Sequence, residues 1–192
     1  MKVIRTEQIF IRDNGEVSKM CHLSKNLFNQ ANYIIRNQFF KKEKILSYKT
    51  LANEFSKPSD IEENNNFQKL PAQTAQWTIR KVKDSWTSFF KALKSYKKNP
   101  ELFTGVPRPP KYKHKDGEFM LVFTTQQCHM KDGILKFPKI INLEVKTRLE
   151  NVDIREARII PEGSCYNVEI VYAKEINDIS ELSRKRMLGI DV

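Results

Sequence analysis

Three cysteines among 192 residues, Cys21, Cys128 and Cys165, stand far apart with no paired spacing, which excludes a disulfide framework and a zinc ribbon. The three histidines, His22, His114 and His129, are equally scattered and show no metal-ligand spacing, so each reads as a surface or packing residue. No run of about 18 apolar residues occurs, which excludes a membrane-spanning helix, and no membrane is expected as partner. The opening MKVIRTEQIFIRDNG lacks the apolar core of a secretory signal and reads instead as a strand. Unpaired thiols without an export signal give a cytoplasmic location as the expectation.

What the sequence has in excess is positive charge. Lys and Arg number 34 against 23 Asp and Glu, a net charge of +11, and the pI is near 9.5. The excess is concentrated: residues 72–117 hold eleven basic against three acidic side chains, residues 1–71 twelve against eight, and residues 118–192 eleven against twelve. Such a block points to a phosphate backbone or another anionic surface. With 40% hydrophobic and 30% charged residues the chain is globular, large enough for one or two domains.

Within the basic block, Ile79, Val82, Trp86, Phe89, Phe90, Leu93 and Tyr96 follow spacings of three and four, one apolar helical face. Arg80, Lys81, Lys83, Lys91, Lys94, Lys97 and Lys98 cover much of the remainder, and Pro100 stops the helix. Residues 104–117 then carry Arg108, Lys111, Lys113 and Lys115 among Pro107, Pro109 and Pro110, an extended basic strip. Tyr112 lies between two of its lysines, where stacking on a base weighs at least evenly against a packing role. Trp86 fits the core stripe. Trp77, nine residues earlier, faces another side, and for Trp77 and Tyr33 the core is the favoured place.

Along the rest of the chain, residues 2–12 alternate as a half-buried strand closed by Asp13-Asn14-Gly15. The period then changes, predicting a helix from Ser18, as N-cap, to about Phe40. A shorter helix is predicted near Tyr48 to Glu54, followed by the polar loop KPSDIEENNN. After Gly117 come β-rich runs at 119–125, 133–137, 140–146, 152–160 and 165–173, with turns at Asp132-Gly133 and Glu162-Gly163. The expected fold class is α+β: a small antiparallel β-barrel interrupted by a helical insertion.

The blocks NLFNQANYIIRNQFF, LPAQTAQWTIRKVKDSWTSFFKAL, NPELFTGVPRPPKYKHKDG, ILKFPK and GIDV, in that order, resemble the N-terminal half of TnpB, the OrfB-type protein of bacterial and archaeal insertion sequences, related to type V CRISPR effectors. The resemblance implies a β-barrel wedge domain from residues 1–13 and 105–180, a helical recognition domain at 14–104, and a linker with the first strand of a RuvC-like nuclease at 181–192. It further implies a guide RNA, a target DNA flanked by a short transposon-adjacent motif, and Asp191 as the first acid of the nuclease. In the complete family site, acids from several strands hold Mg²⁺. The remaining acids would lie C-terminal to Val192, so this chain is expected to have no cofactor of its own and to cut no DNA alone. The expectation is a nucleic-acid-binding portion of an RNA-guided DNA endonuclease. Two other readings stay open: one half of a split nuclease completed by a separate chain, and a decayed transposon remnant acting only as an interaction protein.

Overall fold

The structure is a computed structural model and describes residues 2–57, 65–150 and 152–175. The order of elements is β1 (Lys2–Ile11), α1 (Glu16–Phe40), α2 (Tyr48–Ser56), α3 (Asn66–Lys69), α4 (Ala72–Lys98), a 3-10 turn (Pro100–Leu102), then β2 (Leu121–Thr124), β3 (His129–Lys131), β4 (Ile134–Lys136), β5 (Glu144–Lys146), β6 (Asp153–Glu162) and β7 (Cys165–Glu175). The class is α+β, with two antiparallel sheets.

The strands pair as β1-β7-β6-β2 and as β3-β4-β5. No closed barrel is present among the described residues. The three strands of the smaller sheet are three residues each, too short to wrap a barrel wall. Two features shorten the predicted run at 140–146. Pro138 cannot donate to a ladder, and residues 138–142 turn instead, with Ile141 N–H donating to the Pro138 carbonyl and Asn142 at φ +47°. One strand had no sequence signal of its own: β3 exists because Asp132 and Gly133, both at positive φ, fold it back on β4. The β6–β7 turn is centred one residue later than predicted, on Gly163-Ser164, since Glu162 pairs with Cys165.

β1 runs beside β7 from Lys2 opposite Glu175 to Ile11 opposite Tyr166, so the first strand shares a sheet with the last described one. Phe123 of β2 meets Phe137 edge to face, ring centroids 5.1 Å apart, where the two sheets share a core. Buried Glu7 adds a polar tie between them, accepting from Thr147 Oγ1 and, at 3.0 Å, from Arg148 Nε.

The helix expected to be capped by Ser18 begins two residues earlier, at Glu16. Asn14 Oδ1 accepts the N–H groups of Glu16 and Val17, both at 3.0 Å, and Asp13 Oδ1 accepts that of Ser18 at 3.1 Å. Two carboxamide or carboxylate oxygens ahead of the helix thus do the capping. The Ser18 hydroxyl instead donates to Glu118 at 2.6 Å. α4 ends where Pro100 requires, at Lys98, and buries Ala75, Ile79, Val82, Trp86 and Phe89 against α1 and the sheets.

Candidate nucleic-acid interface

The basic strip is built against α1. Its extended backbone pairs with no strand among the described residues, and α1 supplies partners from one face, at Lys25, Asn29, Asn32 and Arg36. The spacings of four, three and four put these residues in line along a helix. Asn29 Nδ2 donates to the Lys113 carbonyl at 3.0 Å and Asn29 Oδ1 accepts the Lys113 N–H at 2.8 Å. Asn32 Nδ2 donates to the carbonyls of Lys111 (3.2 Å) and Pro110 (3.4 Å), and Arg36 Nη1 to that of Pro110 (2.9 Å). Lys25 Nζ donates to the Lys115 carbonyl. The backbone is therefore clamped while the side chains of Arg108, Lys111, Tyr112, Lys113 and Lys115 remain exposed.

Asn32 joins this clamp to the core. Its Oδ1 accepts the indole N–H of Trp86 at 2.8 Å, both side chains being buried. Every polar atom of the amide is thereby used, which is what a buried polar group needs to avoid a cost of about 1–3 kcal/mol. Burial also acts on Lys25, lowering its pKa, with Asp116 opposing the shift and Lys115 adding to it.

The basic residues of α4 divide into two groups. Lys91, Lys94, Lys97 and Lys98 are exposed and meet no acidic partner among the described residues. The other three are engaged. Lys83 is half-buried, its Nζ donating to the Leu46 carbonyl at 2.8 Å, and burial lowers its pKa; the ammonium thereby secures the segment ahead of α2. The Arg80 guanidinium lies over Trp77 (5.0 Å) and Tyr48 (5.1 Å), and Lys81 Nζ lies 5.7 Å from the Trp77 ring centre. Lys113 is exposed yet partly engaged, with Nζ 4.7 Å from the ring centre of Phe119 and 5.1 Å from that of Phe28. Asp191 lies outside the described residues.

Between the strip and the helices runs a groove of about 530 Å³, whose lining includes Phe28, Ser85, Ser88, Arg108, Tyr112 and Lys113. A smaller cleft of about 180 Å³ opens beside Arg80, lined by Tyr48, Gln73, Gln76, Trp77 and Thr124. The Gln73 amide is engaged, donating to Gln126 Oε1 and accepting from the Thr124 hydroxyl, whereas exposed Gln76 presents the paired donor and acceptor that suit a base edge. The sequence reading missed Gln73 and Gln76, which are uncharged, and missed the α1 clamp. The clamp did carry a signal: polar residues at helical spacing on a helix otherwise read for its apolar stripe. Tyr33, expected in the core, is 58% exposed, because the apolar stripe of α1 runs through Leu27, Ala31 and Ile35 instead.

Among the described residues no group of three or more His, Cys, Asp or Glu could hold a metal ion. No helix is long and apolar enough to cross a membrane. No protein-family model and no curated protein matches the chain.

Proposed function

We propose that this chain binds nucleic acid through the basic strip and the exposed end of α4, as the N-terminal, RNA- and DNA-holding portion of a TnpB-like RNA-guided DNA endonuclease. The observation that carries the reading is the clamp. Residues 110–115 have their backbone fixed by α1 and their cationic side chains turned to water, an arrangement that contributes little to a core and preorganises a row of phosphate contacts. Exposed Lys91, Lys94, Lys97 and Lys98 continue the cationic surface along α4. In this reading the helices form the recognition region, the two sheets form the wedge, and guide RNA, then its heteroduplex with target DNA, is held by backbone contacts while base pairing reads sequence.

The test is ultraviolet crosslinking of the full chain to RNA retained during purification, followed by peptide mapping and sequencing of the RNA. Crosslinks are expected in residues 104–117 and near the end of α4. Crosslinks confined to the sheets, or no RNA retained, would contradict the reading.

A further inference from the structure

We infer that Tyr112, Arg36 and Phe40 form a stacking platform for unpaired nucleotides, an inference that rests on the nucleic-acid reading above and names the form of nucleic acid that this part of the surface takes. The Arg36 guanidinium carbon lies 5.2 Å from the ring centre of Phe40 and 5.6 Å from that of Tyr112. Its Nη1 is held by the Pro110 carbonyl, so the guanidinium is fixed between the two rings rather than free to swing. Phe40 is nonetheless 61% exposed and Tyr112 47% exposed. Two aromatic rings braced from within, open to water and rimmed by charged side chains form the kind of patch that marks a binding surface.

The surroundings say what covers them. Lys111 and Lys113 flank Tyr112 in the sequence and Lys41 and Lys42 follow Phe40, all four exposed. An apolar protein partner would have to bury these charges, whereas a nucleotide strand brings its own phosphates to them and lays base faces on the rings. Along its length a duplex keeps its base faces stacked on one another and shows outward only phosphates, sugars and groove edges, so the platform selects unpaired bases. Every base of RNA or DNA has a π face, and the shared chemistry is therefore the unpaired base itself.

The experiment measures binding of the full chain to an eight-nucleotide RNA strand, the same sequence as DNA, and the corresponding blunt duplex. Tyr112→Leu and Phe40→Leu are each expected to weaken single-strand binding by about tenfold, with duplex binding and the salt slope unchanged because no charge is lost. Tyr112→Phe keeps the ring and is expected to keep the affinity, which separates stacking from any loss of fold. Tighter binding of the RNA strand than the DNA strand, or equal binding, both support the platform, and they assign it to RNA or to either strand. If salt-dependent binding persists but both leucine variants bind single strands like the parent, or lose duplex binding equally, the platform is overturned and the wider reading stands. If none of the three probes binds, both are overturned.

Discussion

The Asn29 side-chain amide and the Lys113 backbone exchange two hydrogen bonds, at 3.0 and 2.8 Å, so that one helical residue does for the strip what a neighbouring strand would do. Asn29→Asp keeps an acceptor for the Lys113 N–H but turns a carboxylate toward its carbonyl. The variant is expected to lose about 1–2 kcal/mol of stability and to bind RNA more weakly, although no cation has been removed. Chemical denaturation together with RNA titration checks this; unchanged affinity would show that the clamp does not set the interface.

The Trp86–Asn32 bond ties that clamp to the core. Asn32→Ala leaves the indole N–H and the Lys111 carbonyl without their partner, while the Pro110 carbonyl keeps Arg36, and about 2–3 kcal/mol is the expected loss. Trp86→Phe removes the other side and leaves Asn32 Oδ1 unpaired in the interior. A double-mutant cycle on the two should give a coupling of at least about 0.5 kcal/mol. Strict additivity would mean that the bond contributes nothing specific.

The Lys83 ammonium is engaged by the Leu46 carbonyl, whereas Lys94 and Lys98 are exposed. Lys83→Met is expected to leave RNA affinity unchanged, whereas Lys94→Met and Lys98→Met weaken it. Burial lowers the Lys83 pKa in the folded chain, so the unfolded chain holds the proton to higher pH than the folded one does. The cost of burying the ammonium is fully present below the lowered pKa and vanishes as pH rises toward the ordinary value of 10.5. The stability of the parent relative to Lys83→Met should therefore increase with pH on approaching that value. A flat or falling difference in urea midpoints would contradict it.

Thiol labelling provides an independent check of the core. Burial raises the pKa of Cys128 to about 12 and that of Cys21 further still, where the carboxylates of Glu118 and Asp13 add to the effect. Cys165 is partly exposed at the start of β7. Iodoacetamide at pH 8 should modify Cys165 alone in the native chain and all three cysteines in urea. Native labelling of Cys21 would show that α1 does not pack as described.

The sequence made the two long helices legible because α1 and α4 carry a strong apolar period, whereas the four-residue α3 is too short to show one and was not foreseen. Pro100 after Lys98 is the clearest stop. Cap identity was harder: Ser18 and Asn14 are both good cap residues, and local preference does not say which side chain Glu118 will take across the fold. The strands were legible as runs but not as an architecture, since β3 depends on the Asp132-Gly133 turn more than on its own three residues, and sheet order depends on contacts between distant segments. At the site, charge density found the strip and the end of α4, but it placed Lys83 and Lys94 in one class. Charge alone does not distinguish a lysine that reaches a carbonyl from one that reaches solvent. The α1 clamp is written in asparagines, whose role appears only when the strip lies beside them.

The salt dependence of RNA binding tests the central claim most directly. Log affinity against log salt concentration is to be measured for the parent chain and for the Arg108→Ala, Lys111→Ala double variant, with thermal stability recorded for both. The proposal expects a steep slope for the parent and a slope shallower by roughly one to two for the variant, with unchanged melting temperature. A parent affinity indifferent to salt, or a variant with the parent's slope and affinity, would contradict it.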